Sequence, residues 1–141
     1  MPKAHDLKRF VDAQETAYQQ ALAEVKNGRK RSHWMWYIFP QIQGLGFSEI
    51  SKHYAIKDLA EAEAYLKHPV LGSRLIRICT ELLGLEDSDA NKVFGSPDDL
   101  KLKSSMTLFA SLPNADAVFQ SVLAKFFAGV RDGKTLQILG K

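Results

Sequence analysis

The segment Ser32-His33-Trp34-Met35-Trp36-Tyr37-Ile38-Phe39-Pro40-Gln41 gathers more chemically able side chains than any other stretch of the chain. Both tryptophans lie in it, two positions apart. Residues with that separation point to different faces of a helix, so one indole can pack inside while the other lines a cleft. An exposed indole offers a flat stacking surface and an N–H donor, which suits an aromatic ligand such as a nucleobase. His33, at the head of the run, stands where a general acid or base would be useful. The ordinary alternative is a central core helix beside a hydrogen-bonded structural histidine, since buried aromatics are common core material.

Gln41, Gln43, Gly44 and Gly46 follow as a polar, glycine-bearing loop. Amides read both donors and acceptors, and glycines let backbone N–H groups approach a ligand closely. No Gly-Lys-Ser/Thr follows and no strand precedes, so neither a P-loop nor a dinucleotide fingerprint is present, and a tight turn explains the glycines as well. Ser104, Ser105 and Thr107 place three hydroxyls within four residues of an apolar stretch. They could hold a phosphate or sugar, or supply a nucleophile beside a base, yet hydroxyls commonly bond local carbonyls instead. Arg74 and Arg77, at i and i+3, could clamp an anion or face solvent on an amphipathic helix.

Metal chemistry finds little support. No two of His5, His33, His53 and His68 have the i, i+4 spacing of a helical zinc site, and one cysteine cannot complete a thiolate site. Cys79 reads as a small core residue. The site expected from the residues therefore comprises His33, Trp34, Trp36, Gln41, Gly44, Arg74, Ser104 and Ser105, with no metal and an unknown cofactor.

The elements that would position these groups are helical. Apolar residues from Leu7 to Lys26 fall at helical spacing, with Asp6 as a candidate N-cap and Gly28 as the stop. Ser32 would cap a short helix ended by Pro40, and Ser48 to Tyr54 suggests a helical turn. Asp58 with Glu61 has capping-box spacing and opens a helix to Lys67. Pro69 suits the first position of the next helix, which buries Leu71, Leu75, Ile78, Cys79 and Leu82 and stops at Gly84. A short segment closes at Gly95, and Ser96-Pro97-Asp98-Asp99 starts a further helix with Ser104 to Thr107 near its end. Pro113-Asn114 reopens a helix through Phe127, and Asp132-Gly133 leads to a last apolar piece. The expected fold is an all-α single domain over residues 1–141, of about seven helices and not a simple four-helix bundle.

Composition bounds the partners. The 141 residues are 45% hydrophobic and 25% charged, which suits one globular core without disulfides or metal. No apolar run approaches the ~20 residues of a membrane span, the first residues lack the apolar stretch of a signal peptide, and a lone cysteine suits a reducing, cytoplasmic setting. The net charge is +3 and the pI near 9.0. Lys26, Arg29, Lys30 and Arg31, around Gly28, form the best candidate for a basic cluster, read first as a solvated loop after a helix and second as a weak nucleic-acid contact.

Three blocks carry a resemblance. The Ser32–Gln41 run with Gly44-Leu45-Gly46, then His68-Pro69-Val70-Leu71-Gly72-Ser73-Arg74-Leu75, then Phe94-Gly95-Ser96-Pro97-Asp98-Asp99 with Lys101-Leu102 and Ser104-Ser105-Met106-Thr107-Leu108-Phe109, resemble the bacterial domain-of-unknown-function family 1810. The similarity runs from about Leu7 to Leu139. It implies a mainly helical single domain and no particular activity. Some members of that family carry a "calpastatin" label, but this chain has none of the disordered repeats of such an inhibitor.

The leading expectation is a pocket for a nucleotide-like, anionic small molecule, with or without a reaction, walled by one of the tryptophans and read by His33, Gln41, Ser104 and Ser105 beside Lys30, Arg31 or Arg74. A protein–protein adaptor with an exposed apolar groove is the alternative. Weak nucleic-acid binding through the basic loop comes third, and a homodimer is compatible with all three.

Overall fold

A computed structural model describes residues 7–141, so the candidate cap Asp6 lies outside the described residues. Among the described residues there are nine helices: α1 (Lys8–Lys26), α2 (Met35–Ile38), α3 (Glu49–His53), α4 (Leu59–Lys67), α5 (Leu71–Leu83), α6 (Ala90–Phe94), α7 (Asp98–Ala110), α8 (Ala117–Phe127) and α9 (Gly133–Leu139). The fold is all-α, and the count exceeds seven because α2, α3 and α6 are one-turn elements.

Amphipathic α5 is the hub, packing against α1, α4 and α8. Leu71, Leu75, Ile78, Cys79 and Leu82 are all buried on it, as their spacing predicts. Burial drives the Cys79 thiol pKa upward and leaves it an inert core group. Helix α7 packs against α8, α4, α6 and α9, and Leu102 and residues Ser104 to Phe109 are all buried, so this helix is covered on most of its circumference. Ser104 to Thr107 consequently sit in its middle rather than at its end. Two aromatic groups knit the core. Phe10, Tyr65, Phe109 and Phe119 run through it at ring separations of 5.1–5.5 Å, while Trp34, Phe39 and Phe94 pack together under α2.

Local capping explains most boundaries. The Asp58 carboxylate accepts from Glu61 N, and Asp132 accepts from Thr135 N. Four starts differ from the sequence expectation. At α7 Pro97 is the N-cap and not the first helical residue, and Ser96 does not cap it. Ser32 does not cap α2, because its hydroxyl donates to Glu24 instead. Helix α5 begins at Leu71 rather than Pro69, since His68 Nδ1 accepts from the N–H groups of Val70 and Leu71 and caps the turn. Asp116, not Pro113-Asn114, caps α8 by accepting from Val118 N.

Candidate functional site

The loop after α2 is held by a short parallel bridge between Ile42 and Ile56. Ile56 N–H donates to Gln41 O at 2.8 Å, and Gln43 N–H donates to Ile56 O at 2.7 Å. Arg9 pins the far side of this bridge from α1, donating to His53 O, Ala55 O and Glu61 Oε1 at 2.8–3.0 Å. The bridge thus fixes Gln41 and the following turn relative to α1 and α4. Gly44 has φ +107°, and a Cβ there would come within 3.3 Å of Ile138 Cδ1. A tight turn against α9 therefore accounts for this glycine.

Two adjoining hollows open beside the loop and share Gln41, Leu45, Gly46 and Ser51. The smaller, about 30 Å³, has room for little more than a water molecule and is bordered by Trp36, Gly44 and Tyr54. The larger, about 230 Å³, is walled by Lys101 and Ser104 of α7 and by Asp132 and Lys134 at the start of α9. The Lys101 ammonium joins the two, 4.9 Å from the centroid of the half-buried Trp36 ring. Among the described residues no hydrogen bond engages the Gln41 side-chain amide. Ser104 Oγ donates to Leu100 O at 3.1 Å, so the hydroxyl can accept from a ligand but its proton is committed.

Of the eight expected site residues, Trp36, Gln41, Gly44 and Ser104 therefore come together, and four do not join them. Trp34 is 1% exposed, and its indole N–H donates to Glu24 Oε1 at 3.0 Å, which makes it a core residue. His33 is exposed and lines neither hollow, because α2 starts two residues later and turns away from it. Arg74 lies over the Tyr18 ring at 5.2 Å and reaches Gln14 Oε1 at 3.5 Å, on the α1–α5 seam. Ser105 is fully buried with its hydroxyl unpaired and lines neither of these two hollows. Thr107 is a strut: its hydroxyl donates to Lys103 O and accepts from Asp132 N–H, tying α7 to α9.

A family model described as "Protein of unknown function (DUF1810)" matches residues 4–139. The chain belongs to this family. Among solved structures it is similar to a conserved hypothetical protein from Mycobacterium tuberculosis, at 46% identity and TM-score 0.94, covering 96% of this chain and 97% of that one. No curated protein matches. Neither description carries an activity.

Three charged residues shape the first block of this family member without any signal in the local sequence. Glu24 is buried on α1, and its Oε1 accepts from Arg31 N, Ser32 N and Trp34 Nε1 at 2.6–3.0 Å, while Oε2 accepts from Ser32 Oγ at 2.7 Å. Burial alone would raise its pKa, but the hydrogen bonds from Arg31, Ser32 and Trp34 outweigh that and hold it at about 2. Lys30 is drawn inward from the basic loop to Asp98 Oδ2 at 2.8 Å, with its side chain 7% exposed. That leaves Lys26, Arg29 and Arg31 as the exposed cations of the loop. Among the described residues no group of three or more His, Cys, Asp or Glu gathers as a metal site would, and no helix is long and apolar enough to cross a membrane.

Proposed function

We propose that the chain is a single helical domain that binds a small, nucleotide-like anion in the cleft between the Gln41–Gly46 turn and α7. The observation that carries the reading is the half-buried Trp36 beside the unengaged Gln41 amide, with Lys52, Lys101 and Lys134 bordering the two hollows. An indole face with a cation, an amide and an acceptor hydroxyl around it is the equipment for a planar ligand carrying negative charge. At about 230 Å³ the larger hollow is below the ~300–1,000 Å³ of enclosed drug-sized sites. It favours a ligand held at the surface with modest affinity.

The same chemistry speaks for binding rather than nucleophilic catalysis. Ser104 donates to a backbone carbonyl and not to a base, and Ser105 is closed off from the cleft. A cytoplasmic setting belongs to this reading and is supported by the single, buried thiol of Cys79.

A thermal-shift screen against nucleotides, nucleosides, ADP-ribose-like compounds and simple anions tests it, with Trp36→Ala alongside. A ligand at about 100 times its Kd adds about 2.7 kcal/mol, a shift of several degrees. A shift present in the wild type and lost in a folded Trp36→Ala variant supports the cleft, whereas a flat response across the panel removes it. An adaptor role would then lead. It draws on Phe47, 78% exposed, and Leu100, 58% exposed, as apolar residues of the surface.

A further inference from the structure

Asp98 is shared by two lysines. Its Oδ2 pairs with Lys30 Nζ at 2.8 Å and its Oδ1 with Lys101 Nζ at 3.2 Å. One carboxylate against two ammonium groups leaves surplus positive charge, and burial decides where that surplus emerges. The Lys30 side chain is only 7% exposed and lies over the buried Trp34 ring at 5.2 Å, so it is enclosed. Lys101, one turn into α7, is 21% exposed and reaches the cleft beside Trp36. Of the two ammonium groups, Lys101 is therefore the one open to solvent, held by Asp98, itself 19% exposed, and by the indole at its side.

We propose that Lys101 is the anion-binding group of the cleft and that the anion is a phosphate group carried by the ligand; this deepens the cleft reading above and rests on it. The number of cations favours the anion of higher charge. Three ammonium groups, on Lys52, Lys101 and Lys134, border the hollows against one lining carboxylate. Ammonium groups act as point charges, and several of them are met by the oxygens and double charge of a phosphate more fully than by a single carboxylate. Asp132 is the one carboxylate of the lining. Its Oδ2 is tied to Thr135 N and Oγ1 at 2.9 and 2.5 Å, which offsets part of its charge. Ser104 cannot donate to the phosphate, because its proton is committed to Leu100 O. Its acceptor oxygen is left for an N–H or hydroxyl of the same ligand.

The test is titration of the full chain with AMP, CMP and ADP-ribose, their parent nucleosides, and inorganic pyrophosphate, at low and high salt. At least one phosphate-bearing probe should bind about tenfold or more tightly than its nucleoside, and the margin should shrink with salt. Lys101→Gln removes the ammonium beside Trp36 while leaving both partners of the Lys30–Asp98 pair in place. It should weaken the phosphate probe about tenfold or more and leave the nucleoside within about twofold, while Lys26→Gln, on the opposite side of Gly28, should change neither. Binding that depends on Trp36 but not on Lys101 overturns the phosphate assignment and spares the cleft. Phosphate probes no tighter than nucleosides in the wild type overturn it whatever the variants do. Failure of every probe to bind the wild type overturns both readings.

Discussion

Replacing Glu24 with glutamine isolates the value of one buried charge. The carboxylate stands at a pKa of about 2 in the folded chain against an ordinary 4.5. A depressed carboxylate contributes stability that is fully present above the unfolded value and is lost as pH falls through the folded one. The drop from 4.5 to about 2 is worth about 3 kcal/mol, present in full above pH 4.5 and lost below about pH 2. Glutamine can preserve the geometry. Its amide oxygen can accept from Arg31 N, Ser32 N and Trp34 Nε1, the three donors that now meet Oε1. The Ser32 hydroxyl can reorient to accept from the new amide, as it already does from Gln20 Nε2. What is lost is the charge. Urea unfolding followed by tryptophan fluorescence at a series of pH values should find Glu24→Gln about 3 kcal/mol less stable near neutrality, or about 10 °C lower in Tm. The gap should narrow as pH falls below about 4.5 and close only below about pH 2, where the wild type has itself become neutral at this site. A gap that stays constant from neutral to acid pH would show the damage to be steric and not the loss of a charge.

Three further outcomes are expected. Gly72→Ala puts a Cβ 2.0 Å from Leu66 O, a backbone atom that cannot give way without moving α4 against α5, so unfolding titrations should register a loss above about 3 kcal/mol. Ser105→Ala removes a buried hydroxyl without a partner and improves helix propensity, so it should raise stability by about 1 kcal/mol by the same assay; a loss of that size would mean the hydroxyl is satisfied. Trp34→Ala should cost about 3–5 kcal/mol because it empties a core position and removes a donor from Glu24, whereas half-buried Trp36→Ala should cost about 1 kcal/mol, as read from paired thermal melts.

The helices were largely legible in the chain. The buried face of α5, the stop at Gly84, the Asp58 cap of α4 and the paired acids in the first turn of α7 all follow from residues within four positions of one another. Short-range periodicity and capping encode such features directly, since the interacting groups are covalent neighbours. The sequence was less informative where a start depends on competition for a side chain. Ser32 has the right type to cap α2, but Glu24, eight residues back, takes its hydroxyl.

The candidate site divides in the same way. The expectation that Trp34 and Trp36 face apart rests on both lying in one helix, whereas Trp34 is the N-cap of α2, with φ −136° and ψ 5°, and only Trp36 is helical. Which of them goes inside was decided by Glu24, whose buried carboxylate captures the Trp34 indole N–H, and by the packing of Phe39 and Phe94 around it. Lys30 looks like one more cation of a solvated loop until the fold brings Asp98 beneath it, 68 positions along the chain. Arg74 looks available for an anion until Gln14, 60 positions away, and Tyr18 occupy it on the α1–α5 seam. The all-α class and most helix boundaries were written in the chain, because they rest on local steric and hydrogen-bonding preferences. Which indole goes inside, and which charges are paired in the interior rather than left beside the hollows, was settled by packing, because pairing and desolvation depend on distances that exist only once the helices have come together.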